Sequence, residues 1–306
     1  MKRLLIVVMV FGLVSSLAVM VGCSKAKVPQ AKEEPASEKV EMVGSTLKKS
    51  ANTGQTTATK VESEEEEEEA FKKGSKAYKN NDLNSAISNF TKAIELDPMR
   101  MAAYNNRGIA YNDLNKYGEA IIDFNKAIEL NPKYIAAYNN RGVSHLKLKM
   151  YPEALSDFNK AIELNPKYIA AYNNRGIVYS GLKKYPNAIA DYTKVIKLDP
   201  KDIKAYNTYN NRGSDYRILG KYPEAIADFT KAIELDPNDV YAYNNRGFAY
   251  AYFLKKYTEA LSDFTKVIEL DPKNFEAYNN RGKVYESLGK NKEAEADFAK
   301  SDVLMK

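Results

Sequence analysis

The 306-residue sequence has one cysteine, one histidine and no tryptophan. A lone Cys23 excludes an intramolecular disulfide and a multi-cysteine metal site, and a lone His145 excludes a two-histidine zinc motif. Neither a metal nor a cofactor is therefore expected, and most serine–histidine chemistry lacks its partners. Charge of one sign is also in short supply. Lys and Arg number 46 against 40 Asp and Glu, a net +6 with no long basic run, so nucleic-acid binding by counterion release is not expected. With 44% hydrophobic and 28% charged residues, most of the chain is built to fold in water. Tyrosine, by contrast, is abundant at 23 residues, and a repeat explains it.

Met1, Lys2 and Arg3 give a positive start, followed by nineteen uncharged residues from Leu4 to Gly22 that end in small residues before Cys23. This is the plan of a signal peptide over residues 1–22. Nineteen apolar residues also suffice to span about 30 Å of hydrocarbon, so composition leaves an uncleaved membrane helix open. The run Met20-Val21-Gly22-Cys23 resembles the bacterial lipobox, with Met20 where Leu is usual. That resemblance implies acylation of Cys23 as the new N-terminus, each buried CH₂ contributing about 0.8 kcal/mol to anchoring. Ser24 resembles the outer-membrane sorting class in diderm bacteria. The expected location is the bacterial cell envelope, on the outer membrane facing the periplasm or, in a monoderm host, the cell surface.

From Ser24 to about Ser63 the chain is rich in Lys, Glu, Ser, Thr, Ala and Pro, with scarcely an aromatic. Such a composition buries too little apolar surface to fold. Residues 23–63 are read as a lipid-anchored tether with a mean reach of about 35 Å from coil statistics. Glu64 to Glu69 leads into the first helix as a solvated stretch that complements the helix dipole.

Residues 64–306 are self-similar. Gly74, Gly108, Gly142, Gly176, Gly213, Gly247 and Gly282 are spaced by 34, 34, 34, 37, 34 and 35 residues, and Pro98, Pro132, Pro166, Pro200, Pro237 and Pro272 keep nearly the same period. Seven units run over about 67–100, 101–134, 135–168, 169–202, 203–239, 240–274 and 275–306. Each parses as two helices, for example about Ala102 to Leu114 and Gly118 to Leu130, stopped by Pro132. Pro152, Pro186 and Pro223 fall in the first turn of a second helix, where the missing N–H has no helical partner anyway.

At about 100° per residue, Tyr104, Arg107, Gly108 and Tyr111 share one face of the first helix, the one expected to be buried, while Asn105, Asn106 and Ile109 share the other. Ala120, Phe124 and Ala127 provide the matching stripe on the second helix. This pattern of small, aromatic and Pro residues resembles the tetratricopeptide repeat (TPR), with Tyr at the first aromatic position and Arg where that family more often has Leu. The resemblance implies an all-α fold, an α-solenoid coiled as a right-handed superhelix of about seven helix-turn-helix repeats. It also implies protein or peptide partners. Sixteen of the 23 Tyr fill three repeat positions, those of Tyr104, Tyr111 and Tyr117, and are scaffold. His145 replaces one of them and is expected to be a packed structural residue.

Arg107, Arg141, Arg175, Arg212, Arg246 and Arg281 lie on the packing face and need carboxylates. Asp123, Asp157, Asp191, Asp228, Asp263 and Asp297 recur in step, and the first repeat loses both together, carrying Lys73 and Asn89. Each Arg is expected to pair with an Asp of its own or an adjacent unit. Asn106, Asn140, Asn174, Asn211, Asn245 and Asn280 are expected to line the concave groove, since an amide both donates to and accepts from a peptide backbone. Superhelical repeat proteins with asparagine ladders suggest the same, though bridging of neighbouring helices is the other reading. Ile109, Val143, Ile177 and Phe248 are expected to add apolar contacts there, a stripe that Ser214 and Lys283 interrupt. The two-carboxylate clamp of chaperone-binding repeats is not expected, because its groove positions hold Ala and Asn.

Two spacings are irregular: three extra residues among Ile203 to Thr208, and one between Tyr250 and Tyr257 that is expected to stretch a turn. Glu295 and Ser301 mark the last unit as a cap facing water. The sequence thus describes a non-enzymatic adaptor of the bacterial envelope, tied to a membrane at Cys23, that takes an extended partner segment into its groove. A spacer binding through its convex face or ends is the alternative. A cell-wall hydrolase is a remoter one, since no acidic pair stands outside the repeat pattern.

Overall fold

The structure, a computed structural model, describes residues 54–199 and 205–305; the segment read as a signal peptide, Cys23 and the stretch read as tether up to residue 53 lie outside the described residues, as do residues 200–204 within the lengthened approach to the fifth repeat. The described chain is an all-α array of consecutive helix pairs. It divides into two compact units, one up to Asp191 and one from Tyr192 onward, with the division inside a helix.

In the first unit the helices are α1 Gly54–Lys79, α2 Leu83–Leu96, α3 Met101–Asp113, α4 Tyr117–Leu130, α5 Ile135–Lys147, α6 Tyr151–Leu164, α7 Ile169–Gly181 and α8 Tyr185–Leu198, which crosses into the second unit. The second unit continues with α9 Tyr206–Ile218, α10 Tyr222–Leu235, α11 Val240–Phe248, a π-helical segment Ala249–Leu254, α12 Tyr257–Leu270, α13 Phe275–Ser287 and α14 Asn291–Met305. Helix α1 begins at Gly54, so the segment read as tether up to Ser63 is helical over its last turns. The acidic run is not wholly solvated either. Glu67 is buried, and Arg100 donates to Glu67 and, at 2.8 Å, to Glu68, with its guanidinium 3.9 Å from the Phe71 ring.

Within a repeat, the two helices meet where Gly has no side chain. A Cβ on Gly108 or Gly142 would come within 2.7 Å of the Phe124 or Phe158 ring. Both rings are fully buried, flanked by Ala120 and Ala127 or by Ala154 and Ala161, also fully buried. Between repeats, α3 packs on α1 and α5, and α5 packs on α7. First helices therefore contact one another as well as the second helices. That third contact accounts for a difference from the helical-wheel expectation: Asn105 and Ile109, assigned to the open face, are 0% and 4% exposed.

Each turn within a repeat is closed by one residue with positive φ: Asn81, Asn115, Lys149, Lys183 and Lys255 at 56° to 62°, and Gly220 and Gly289 at 74° and 71°. The Lys116 N–H reaches back to the Tyr111 carbonyl at 2.9 Å, which closes the helix end as a Schellman turn does. Only Gly adopts this conformation without a Cβ penalty. Lys149→Gly and Lys183→Gly are expected each to raise stability by about 0.5–1 kcal/mol, read as a higher melting temperature in circular dichroism. Between repeats, the Asx-Pro step turns the chain, with the Lys133 N–H donating to Asn131 Oδ1 at 2.9 Å and the Lys167 N–H to Asn165 Oδ1 at 2.9 Å.

The extra residue of the sixth repeat does not stretch a turn as expected. It is absorbed as the π-helical segment, which ends at Lys255 with the same left-handed closure as the other repeats. A π-bulge takes up one inserted residue while the helix continues. Gly247 and Phe264 remain in register, a Cβ on Gly247 lying 3.0 Å from the ring. At the last repeat, Ser301 is fully buried and donates to the Phe275 carbonyl at 3.0 Å, so it bonds within the repeat; Glu295 is exposed.

Candidate functional site

The arginine pairing is realised throughout, and always within one repeat. Arg107 donates from Nε and Nη2 to the two oxygens of Asp123 at 2.8 and 2.7 Å, and from Nη1 to Thr91 Oγ1 of the preceding repeat at 2.9 Å. Arg175 does the same to Asp191 at 2.8 and 2.7 Å and to Asn159 Oδ1 at 2.6 Å. Arg212, Arg246 and Arg281 repeat it with Asp228, Asp263 and Asp297, reaching Thr193, Thr230 and Thr265 respectively. Each guanidinium thus ties three helices together. Hydrogen bonds donated to the Asp123 and Asp191 carboxylates hold Arg107 and Arg175 above the ordinary arginine value. In the third repeat His145 Nδ1 stands 2.9 Å from Asp157 Oδ2, so Asp157 holds both Arg141 and His145, and the histidine is structural.

The asparagines divide by position. In the first unit Asn140 is fully buried and donates to Asn105 Oδ1 at 3.1 Å, and Asn174, also fully buried, donates to Asn139 Oδ1 at 3.0 Å. Asn105 in turn donates to Asn106 Oδ1 at 3.1 Å, and Ser144 Oγ to Asn112 Oδ1 at 2.8 Å. Asn140 and Asn174 therefore do not line an open groove. They knit neighbouring first helices, because a buried amide must be satisfied and the nearest partner is the amide one repeat away. Ile109 and Val143, at 4% and 1% exposure, belong to the core, while Ile177 is half-buried.

In the second unit the ladder opens. Asp239 caps α11, accepting from the Tyr241 and Ala242 N–H groups at 2.9 and 3.2 Å, and it also takes the Nδ2 of Asn210. A carboxylate is a stronger acceptor than a neutral amide, so Asn210 turns to Asp239. Asn211, Asn245 and Asn280 are half-buried, and Asn280 Oδ1 accepts from the Tyr252 hydroxyl at 3.4 Å. Beside them, the π-helical segment gathers an aromatic cluster. Phe248 lies 4.4 Å from Tyr252 and 5.9 Å from Phe253, Phe253 stacks on Tyr222 at 4.2 Å, and Arg217 sits 5.3 Å above the Phe248 ring. Tyr241 and Phe253 remain 49% and 40% exposed.

The geometry thus separates the ten proposed contact residues. Asn140, Asn174, Ile109 and Val143 hold the array together; Asn211, Asn245, Asn280 and Phe248 stay partly open in the second unit; Asn106 and Ile177 are half-buried in the first. Sequence reasoning missed Tyr241, Tyr252, Phe253 and Arg217. The one signal for them was the extra residue after Tyr250, which was expected in a turn and not in the helix that carries these rings.

Among the described residues, no helix is long and apolar enough to cross a membrane. Tetratricopeptide repeat models match residues 102–134, 135–168 and 169–202, and a TPR repeat model matches 213–251 and 252–289. A tetratricopeptide repeat protein from Parabacteroides merdae is 25% identical, with a TM-score of 0.59 over 78% of this chain and 93% of its own. YrrB, described as a TPR protein with an unusual peptide-binding site, is 26% identical, with a TM-score of 0.51 over 61% of this chain and 95% of its own. Hsp70-Hsp90 organizing protein 2 of Arabidopsis thaliana is 42% identical over 52 residues, 17% of this chain. The chain spans only 9% of the length of the curated relatives it matches. With helix pairs, spacing and solved relatives in agreement, the chain belongs to the tetratricopeptide repeat family, whose arrays are protein–protein interaction scaffolds.

Proposed function

We propose that this protein is a non-enzymatic adaptor lipoprotein of the bacterial envelope that holds an extended segment of a partner on the first helices of its second unit. The observation that carries the reading is the contrast between the two units. Asn140 and Asn174 are fully buried and donate hydrogen bonds to the amides of Asn105 and Asn139, whereas Asn245 and Asn280 are half-buried beside an aromatic cluster in which Phe253 is exposed. Half-buried amides supply backbone recognition and aromatic rings supply area at low entropy cost, the combination that extended peptides require. Peptide binding in YrrB, which shares this fold at 26% identity, supports that use of the surface. The envelope location rests on Met1 to Cys23, whose pattern is that of a lipoprotein signal.

The test is affinity capture from envelope extract by the full chain. Asn245→Ala with Asn280→Ala and Phe248→Ala is expected to lose the partner while keeping its helical circular dichroism. Asn140→Ala with Asn174→Ala is expected to keep the partner and melt earlier by about 1–3 kcal/mol per buried amide left unsatisfied. Equal capture by the first variant and the native chain would sink the reading and favour a spacer that binds through its convex face or ends. Mass spectrometry of the mature N-terminus checks the anchor separately, an acylated Cys23 being the expected start.

A further inference from the structure

Four of the turns inside repeats carry exposed apolar tips, whereas Leu114 and Leu182 at the same place in the second and fourth repeats are half-buried, Leu182 against the core. In the first unit Leu148 and Met150 are 45% and 38% exposed. In the second, Leu219, Leu254 and Leu288 recur at the position of Leu148, with 41%, 37% and 42% exposure. In the first unit these tips lie among lysines. Lys147 and Lys149 flank Leu148, and Lys183 and Lys184 follow at the next turn; all four are exposed.

Their charge is unbalanced, unlike that of the second-helix face. There Lys126 and Lys160 each pair with a glutamate three residues on, Glu129 at 2.6 Å and Glu163 at 2.7 Å. At the turns, Lys147, Lys149, Lys183 and Lys184 make no ion pair among the described residues. Glu153 is the one exposed acid of the third-repeat turn. The fourth has Asn187 in its place, and Asp191 is already held by Arg175. Successive first helices of the unit pack side by side and run in one direction, so these turns share one edge. The Tyr78 hydroxyl reaching Asp113 at 2.6 Å ties two such helix ends together there.

We infer that this edge of the first unit, Lys147 to Met150 with Lys183 and Lys184, docks on an anionic lipid surface. Lysine ammonium groups meet lipid phosphates, and Leu148 and Met150 enter the headgroup boundary between them, as basic and apolar residues do in interfacial segments. An acidic peptide would satisfy the lysines but leave the apolar tips without a role. Lysines from two adjacent turns on one edge, with one pair of apolar tips between them, can meet a flat bilayer together. The inference does not depend on whether Cys23 is acylated, nor on what the second unit binds.

The test is lysine footprinting of the full chain with a water-soluble acylating reagent, read by mass spectrometry. Phosphatidylcholine vesicles are compared with the same vesicles containing phosphatidylglycerol. Comparing the two vesicle types cancels any attachment through residues 1–23. The expected result is severalfold slower modification of Lys147, Lys149, Lys183 and Lys184 on the anionic vesicles, with Lys126 and Lys160 unchanged. The protection should fade at high salt and weaken in Leu148→Ser with Met150→Ser, both exposed positions that leave the fold intact. Equal rates on the two vesicle types overturn the inference. So does protection that appears only when polyglutamate is added, which would assign the edge to an acidic protein.

Discussion

Arg175→Met is expected to destabilise the first unit by about 3 kcal/mol, the lower end for breaking a buried pair by removing one partner. Asp191 is 5% exposed and accepts two bonds from Arg175, and no water can replace both at that depth. The guanidinium also donates to Asn159 and lies 5.4 and 5.8 Å from the Tyr172 and Tyr179 rings, so Met keeps the packing of the stem while the charge is lost. Replacing the partner too, Arg175→Met with Asp191→Leu, is expected to recover more than half of the loss, because an orphaned buried charge is worse than none. Chemical denaturation of the single and double variants makes the comparison. Equal midpoints for the two would show that the stability comes from packing and not from the ion pair. Arg141 is the less clean choice, since His145 would still face Asp157 after its removal.

Phe158→Ala is expected to cost about 3–5 kcal/mol, the range for deleting a fully buried aromatic. The ring is 0% exposed and sits in a cluster with Val143, Ala154, Ala161 and Ala171, packed against Tyr138, Leu155 and Tyr168. Gly142→Ala attacks the same contact from the other side. Its Cβ would come 2.7 Å from the ring, which must give way, and the expected cost is about 1–3 kcal/mol. The two changes share one space. Gly142→Ala in a Phe158→Leu background should therefore cost less than in the native chain, a coupling that a double-mutant cycle measures directly. Additive losses would mean that the glycine is needed for something other than room for the ring. Because each repeat is stabilised chiefly by its neighbours, either change should also increase hydrogen exchange in α5 and α6 before the rest of the array.

Much of this architecture was legible in the sequence. The 34-residue spacing of Gly and Pro gives two helices per repeat, since a proline both ends one helix and permits the first turn of another. The arginine–aspartate pairs were legible too, through a gap: Lys73 and Asn89 depart together in the first repeat, as they should if each residue exists for the other. His145 was readable as structural because it stands in a repeat position held elsewhere by tyrosine.

Other features could be settled only by the packed array. A helical wheel has two faces, but a first helix here meets its own second helix, that of the preceding repeat and the neighbouring first helices. The third contact buries Asn105, Asn140 and Ile109 and closes the amides on one another where the wheel left them free. Likewise, one extra residue after Tyr250 is compatible in sequence with a longer turn or a bulged helix. The need to keep Gly247 against Phe264 and Arg246 against Asp263 selects the bulge, which brings Phe248, Tyr252 and Phe253 together. Local sequence thus determined the repeat and its helices, because helix ends and periodicity are short-range properties. Which polar groups were consumed in holding the repeats together, and which stayed open to a partner, depended on contacts between residues a full repeat apart.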